Sequence, residues 1–105
     1  MIITNIEQVP GKTVAAELGL VLGSTVRSKH LGKDIGAFFK GLVGGEIKGY
    51  SELLVEGRDE AIERMVKQAE ALDADAVVNV RLATSSITGG AAELMAYGTA
   101  VKFEA

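Results

Sequence analysis

Apolar and other residues alternate between positions 13 and 27, in the segment TVAAELGLVLGSTVR. Because successive side chains of a strand point to opposite faces, this pattern predicts a long strand. One of its two faces is almost wholly apolar and comprises Val14, Ala16, Leu18, Leu20, Leu22 and Val26. The apolar pair Ile2 and Ile3 predicts a few further paired residues at an edge of the sheet.

From residue 51 to about residue 72 the apolar residues follow the period of a helix instead. We expect an amphipathic helix with Ser51 as its N-cap and with Glu52 near the positive end of its dipole. Gly57 is expected to weaken this helix by about 1 kcal/mol relative to alanine. The apolar stripe that faces the core comprises Leu54, Ala61, Ile62, Met65, Val66, Ala69 and Leu72.

The solvent face of this predicted helix carries two pairs of opposite charges. Glu60 and Arg64 are four positions apart, and so are Glu63 and Lys67. Because residues with this spacing are neighbours on a helix surface, both pairs are expected to form ion pairs.

Two further strands are predicted in the segments AVVNVRLATSSIT and AAELMAYGTAVKF. Gly89 and Gly90 lie between them and suit a two-residue hairpin turn. The turn would set a register in which the larger apolar residues share one face. The expected pairs are Leu82 with Tyr97, Val80 with Thr99, Val78 with Val101, and Thr84 with Met95.

The order strand, helix, strand, strand predicts a two-layer α+β subunit that forms a single domain over residues 1–105. Its antiparallel sheet has the last strand in the centre, and a right-handed crossover places the helix on the apolar face. With the helix there, the second face of the sheet has no cover from the rest of the chain.

That second face is mostly small and apolar, whereas a solvated face should carry many charged residues. We therefore expect another copy of the chain to cover it in a homo-oligomer. In the expected register Gly98 lies opposite Arg81, so Gly98→Glu should break the assembly while Glu63→Ala leaves it intact. The expected interface residues are Glu17, Gly19, Asn79, Arg81, Ala96, Gly98 and Ala100.

The chain contains no cysteine, so neither disulfides nor thiolate metal sites are available. Its N-terminus lacks a basic region followed by an apolar stretch, and its apolar runs are too short to span a membrane. A reducing cytoplasm is the expected setting, with no membrane partner.

The net charge of −3 disfavours nucleic-acid partners, which require a concentrated excess of Lys and Arg. The charge is unevenly distributed. Residues 27–50 contain five basic and two acidic residues, a balance of +3, whereas the remainder carries −6. The basic segment is where a small anionic ligand would bind.

The glycine-rich stretch GLVGGEIKGY, at positions 41–50, does not match a phosphate-binding loop. No lysine and hydroxyl pair follows Gly45, and the preceding residues predict a short amphipathic helix with Ile35, Phe38, Phe39 and Leu42 on one side. Gly44 and Gly45 are then interpreted as a helix C-cap and turn, with the lining of a ligand pocket as the alternative. The candidate ligand-binding residues are Lys29, His30, Lys33, Gly44, Gly45 and Glu46.

Few residues suggest a metal site or catalysis. His30 and Asp34 would be the weak candidates for metal ligands, with Glu46 or Glu93 completing a site, so no metal or other cofactor is expected. A polar cluster of Glu17, Asn79, Arg81 and Glu93 is interpreted as an interface network, with acid–base machinery as the alternative. No catalytic residue is assigned.

The order of five segments resembles the YbjQ-like family over nearly the whole chain. They are LGLVLGSTV, GLVGGEIKGYSELL, RDEAIERM, ALDADAVVNVRL and YGTAVKFEA. The resemblance implies a dodecin-like subunit that assembles into a ring-shaped homopentamer, and it brings a heavy-metal-binding label. Asp73 departs from the glycine that the family usually has after the helix, but Asp tolerates the left-handed conformation, so the turn should survive.

The leading interpretation is a non-enzymatic homo-oligomeric binding or scaffolding module. The alternatives are a small enzyme with a site shared between subunits, and a metal-handling protein.

The uneven charge generates one prediction. If an anionic ligand binds, changing Lys29 and Lys33 to Glu should abolish its binding, and the affinity of the parent protein should fall with added salt. Titration of both proteins at two salt concentrations measures this. Unchanged affinity in the double variant would place the anion site elsewhere.

Overall fold

A computed structural model of the protein describes residues 1–28, 46–87 and 90–105, with only the backbone described at 46–48. Two strands precede the helix: β1 (Ile2–Ile3) and β2 (Val14–Ser28). Helix α1 (Glu46–Ala71) follows, and the chain then forms β3 (Ala76–Ile87) and β4 (Ala91–Phe103). The short helix expected around residues 35–42 lies outside the described residues.

The four strands form one mixed sheet in the order β1-β3-β4-β2. Strand β4 pairs antiparallel with β2 on one side and with β3 on the other, and β1 pairs parallel with β3. The predicted α+β fold, with the last strand central and a short added strand at an edge, is confirmed.

The predicted register of the β3–β4 hairpin is wrong by one residue. Arg81, rather than Leu82, is opposite Tyr97, and three residues separate the last pair, Ile87 and Ala91. Gly90 has a φ of +80°, which suits the left-handed residue of a three-residue loop. Nearer the base of the hairpin the register changes again, because a bulge lies between Val78 and Arg81.

Strand β2 contains two irregularities, between Val14 and Ala16 and between Glu17 and Gly19. Gly19 has a φ of +109°, a conformation that favours glycine. A bulge adds one residue to the strand and therefore interrupts the strict alternation of side chains. As a result Leu18 packs against the helix-side core, although unbroken alternation grouped it with Leu20.

The helix covers the face of β2 opposite to the one that the sequence pattern predicted. Val21 and the central-strand residues Ala96 and Ala100 are buried against Ala61, Met65 and Ala69 of α1. Gly23 makes this packing possible, because a Cβ on it would collide with the carbonyl oxygen of Ala61 and lie 2.5 Å from the amide nitrogen of Met65. Among residues 1–28, 46–87 and 90–105, no helix lies over the face with Leu20, Leu22 and Val26.

Helix α1 begins five residues before the predicted N-cap, so Ser51 lies inside it. The stripe residues Ala61, Met65 and Ala69 are fully buried, as predicted, whereas Leu72 is exposed. Both predicted ion pairs form, at 2.5 Å for Glu60 with Arg64 and 3.4 Å for Glu63 with Lys67.

Gly57 is a packing residue as well as a weak helix former. Its Cβ would lie 2.7 Å from Cγ of Arg27 and 3.1 Å from Cδ1 of Leu94. The Thr25 hydroxyl donates a hydrogen bond of 2.9 Å to the Gly57 carbonyl. The absence of a side chain at this position therefore brings the helix close to β2.

The helix ends in a left-handed turn at Asp73, whose φ is +59°. The Ala74 amide donates to the Ala69 carbonyl at 3.1 Å, and the Asp73 amide donates to the Glu70 carbonyl at 2.9 Å. This pair of bonds defines a Schellman cap, so the expectation that Asp tolerates this turn is confirmed. Lys102 lies against the same turn, with its Nζ 2.7 Å from the Asp73 carbonyl.

The N-terminal segment runs along the bulged part of β3. The amides of Asn79 and Val80 donate to the carbonyls of Ile6 and Thr4, each at 3.0 Å. Val9 packs against a second, smaller core cluster of Ala76, Val78 and Val101, together with Phe103. The segment thereby covers one end of the sheet face that faces away from the helix.

Gly98 lies opposite the β3 bulge rather than opposite Arg81. A Cβ on it would be 2.7 Å from Cγ1 of Val77 and 2.9 Å from the Val78 carbonyl. Because Gly98 is enclosed within a single subunit, Gly98→Glu would disrupt the subunit itself and is a poor probe of assembly.

The contact at Gly23 generates a prediction for stability. Gly23→Ala should lower the free energy of unfolding by about 1–3 kcal/mol or more, because the added methyl group overlaps backbone atoms that cannot turn aside. Urea unfolding followed by circular dichroism at fixed protein concentration measures the loss. Glu63→Ala, an exposed helix position, is the control and should change stability by less than about 0.5 kcal/mol. Equal stability of the two variants would contradict the close helix–strand contact.

Candidate functional site

The sheet face turned away from the helix carries several exposed apolar side chains. We call the part of this face beyond the N-terminal segment the open face. On β2 it includes Leu20, Leu22 and Val26, which are 66%, 39% and 57% exposed. Ile87 of β3, on the same face, is 44% exposed.

Half-buried residues of the central strand complete the open face. The cross-strand pairings place Tyr97 beside Leu22 and Met95 beside Ser24. Both β4 residues belong to the alternate set that points away from the core under α1. The open face thus consists mainly of aliphatic, aromatic and small polar side chains, and it also carries Glu93, opposite Val26, and Arg81, opposite Tyr97.

A charged network lies on the other side of the sheet, where β2 meets α1. Arg27 forms an ion pair with Glu60, and Glu60 also binds Arg64. The Arg27 Nε is buried and has no hydrogen-bond partner among the described residues. The network ties the helix to the strand next to the Gly57 contact.

Most of the predicted ligand-binding residues lie outside the described residues. This applies to Lys29, His30, Lys33, Gly44 and Gly45, and to the weak metal candidate Asp34. Glu46 is the first residue of α1. The expectation of an anion site in this segment stays a prediction.

The predicted interface residues divide into two groups. Ala96 and Ala100 are 0% exposed beneath the helix, and Gly98 is also buried, so the residues of this group cannot be covered by a neighbouring subunit. Their assignment to an uncovered face is wrong, because the helix lies on that face. The remaining members, which are exposed or half-buried, are Glu17, Gly19, Asn79 and Arg81.

The predicted polar cluster of Glu17, Asn79, Arg81 and Glu93 does not assemble. Glu17 is level with Val101 on one side of β4, whereas Arg81 is level with Tyr97 on the other. The Arg81 guanidinium instead donates to the Asn5 carbonyl at 2.7 Å. Within one chain these residues therefore form neither an ion-pair network nor an acid–base site, and a network across a subunit contact stays a prediction.

Within residues 1–28, 46–87 and 90–105, no group of three or more His, Cys, Asp or Glu side chains is placed to hold a metal ion. In the same part of the chain, no helix has both the length and the apolar content needed to cross a membrane.

Sequence reasoning missed the residues that decide which face is open. By strict alternation Gly23 belongs to the second face of the sheet, which the helix is not expected to cover, whereas the helix backbone lies directly against it. A signal was present, because Gly23 and Gly57 are glycines inside regular elements, and such glycines often mark a close approach of backbones. The positions of Arg64 and Gln68 over β2 depend on that approach and have no sequence signature of their own.

Comparison with known proteins agrees with this architecture. A family model designated YbjQ and described as "Putative heavy-metal-binding" matches residues 1–104. Relatives that carry the name UPF0145 protein align over almost their whole length. One from Hahella chejuensis is 61% identical, covering 99% of this chain and 100% of the relative.

Two further relatives and one solved structure give the same result. The UPF0145 protein of Thermotoga maritima is 62% identical, and the alignment covers 99% of this chain and 98% of the relative. The UPF0145 protein of Clostridioides difficile is 58% identical, and the alignment covers 99% of this chain and 93% of the relative. The crystal structure of a DUF74-family protein of unknown function from Pediococcus pentosaceus superposes with a TM-score of 0.62. It covers 99% of this chain and 98% of that one, and at 19% identity the likeness concerns the fold alone. By its family model and its full-length relatives, the chain belongs to the YbjQ family.

Proposed function

We propose that this protein is a non-enzymatic, homo-oligomeric binding or scaffolding module whose subunits associate through the open face. The observation that supports this proposal is the exposure of Leu20, Leu22 and Val26 along one strand in the single subunit. A soluble chain rarely leaves a contiguous apolar surface in water unless a partner covers it.

The pattern of the open face favours a second copy over a solvated surface. Antiparallel sheets that face water on one side carry polar side chains there. Here β2 places three large aliphatic residues on that side, and the half-buried Met95 and Tyr97 lie beside them on β4. Burying apolar surface contributes roughly 25 cal/mol per Å², so covering this face would stabilise an assembly substantially.

The dimensions of the chain also favour association. Its radius of gyration is 17.4 Å, whereas a compact chain of this length has a value of about 13 Å. In the described part of the chain, the sheet is long and narrow and α1 is the helix that covers one side of it. A subunit of this shape leaves much of its surface available to neighbours.

The family resemblance supports a ring of five subunits. A ring of identical subunits arises when one surface of each copy contacts a different surface of the next. The ligand of such a ring would lie in a central pore or in pockets between subunits, and the basic segment 27–50 is the expected place for an anionic one.

Assembly through the open face can be tested with charge substitutions. Leu20→Glu combined with Val26→Glu should convert the oligomer to monomers, because it would bury two uncompensated carboxylates in the contact. Light scattering after size-exclusion chromatography measures the mass, and native mass spectrometry of the parent gives the subunit number and any retained ligand.

Val55→Glu is the matched control for that experiment. Val55 is an exposed apolar residue, 42% accessible, on the helix rather than on the open face. This variant should assemble like the parent. A monomeric parent, or a double variant that assembles normally, would refute the proposal.

The heavy-metal description of the family supports metal handling as a second candidate function. The donor inventory argues against tight binding, since the chain has one histidine and no cysteine. We expect calorimetric titration with zinc, copper and nickel to show no site with a Kd below about 1 µM. Stoichiometric binding tighter than this, lost in His30→Ala, would favour metal handling instead.

A further inference from the structure

Among the described strands, β2 is the outer strand of the sheet along all 15 of its residues. An outer strand has one row of backbone N–H and C=O groups that its own sheet does not use, and such a row can pair with a strand from another chain. Natural proteins usually protect long edges with bulges, lysines or prolines. The bulges of β2 lie before Leu20, and the segment Leu20–Ser28 contains neither lysine nor proline.

Two helix side chains bind backbone groups of the segment Leu20–Ser28. The Leu22 amide donates to Oε1 of Gln68 at 2.9 Å. Arg64 donates from Nη1 to the Ser24 carbonyl at 2.6 Å. Because Leu22 and Ser24 are two residues apart, their backbone groups point to the same edge of the strand. These contacts occupy the positions that the backbone of an added strand would need.

The local packing explains why Arg64 and Gln68 reach the edge. Gly23, between the two bound residues, lets α1 approach the strand to backbone contact, and its Cβ would lie 2.7 Å from Cβ of Arg64. Arg64 and Gln68 are four residues apart and therefore project from the same side of the helix. Glu60 holds the Arg64 guanidinium at 2.5 Å.

We propose that Arg64 and Gln68 cap the free edge of β2 and prevent strands of other copies from pairing with it. Self-association is thereby directed to the open face and kept from propagating edge to edge. This inference goes beyond the proposed function, and it does not depend on the number of subunits in the assembly.

The test replaces the capping groups while conserving side-chain length. In Arg64→Met with Gln68→Met both polar groups are lost. In Arg64→Lys with Gln68→Glu, the lysine can still donate to the Ser24 carbonyl and the glutamate can still accept from the Leu22 amide. Glu63→Met with Lys67→Met adds the same two apolar side chains to the exposed part of the helix, so it controls for added hydrophobicity.

Light scattering and thioflavin T fluorescence then report on assembly, with circular dichroism as a check of the fold. We expect the double-methionine cap variant to form thioflavin-positive species larger than the parent assembly. The Lys and Glu variant and the helix control should both retain the size distribution of the parent.

Hydrogen exchange at the Leu22 amide tests the cap even where the double variant folds poorly. In the single variant Gln68→Met this amide should exchange about tenfold faster than in the parent, because loss of one hydrogen bond shifts the opening equilibrium of the amide by about that factor. In Gln68→Glu the rate should stay near that of the parent.

The proposal is wrong if the double-methionine cap variant is folded and keeps the parent's size, or if the helix control aggregates equally. Equal rates of hydrogen exchange at the Leu22 amide in the parent, Gln68→Met and Gln68→Glu would also overturn it. Failure of this proposal can be told apart from failure of the proposed function. The proposed function is tested by the mass of the parent protein and of the Leu20→Glu, Val26→Glu variant, whereas this proposal is tested by the Arg64 and Gln68 variants.

Discussion

The close contact between α1 and β2 at Gly23 determines most of the other features of the subunit. With no Cβ at this position, the helix backbone at Ala61 and Met65 lies directly on the strand. That approach decides which face of the sheet becomes the core. It also brings the helix side chains at positions 64 and 68 over the strand edge. A larger residue would lift the helix and remove these consequences together.

Placing the helix on the face that carries small residues leaves the larger aliphatic residues of β2 on the outside. Small side chains allow a helix to pack closely, whereas large ones provide more apolar surface for contact with another molecule. The core of the subunit and the proposed contact between subunits therefore use different faces of the same strand. A residue change on the open face can alter assembly with little effect on the packing under α1.

The sequence was sufficient to predict the topology, the buried stripe of α1, the two helix ion pairs and the turn at Asp73, because each depends on local periodicity or spacing. It did not reveal which sheet face the helix covers, since that depends on the close approach of α1 at Gly23. Nor did it reveal the bulges between Glu17 and Gly19 and between Val78 and Arg81, which shift the alternation of side chains in β2 and β3. Glycines favour such bulges but do not specify them. The register of the hairpin was missed for a similar reason, because loop length was inferred from two glycines alone. The candidate ligand residues cluster in a part of the chain outside the described residues.

Strand β4, which lies between β2 and β3 in the sheet, follows both of them in the sequence. Strands β2 and β3 have no contact partner in the sheet until β4 is available, apart from the short pairing of β3 with β1. During synthesis β4 must therefore emerge from the ribosome before β2 and β3 can join one sheet. Folding is dominated by contacts between residues far apart in sequence, which is the regime in which folding is slow. Until β4 emerges, the unpaired strands are exposed to other chains, and the interval before β4 docks is the period in which a chaperone would have most effect.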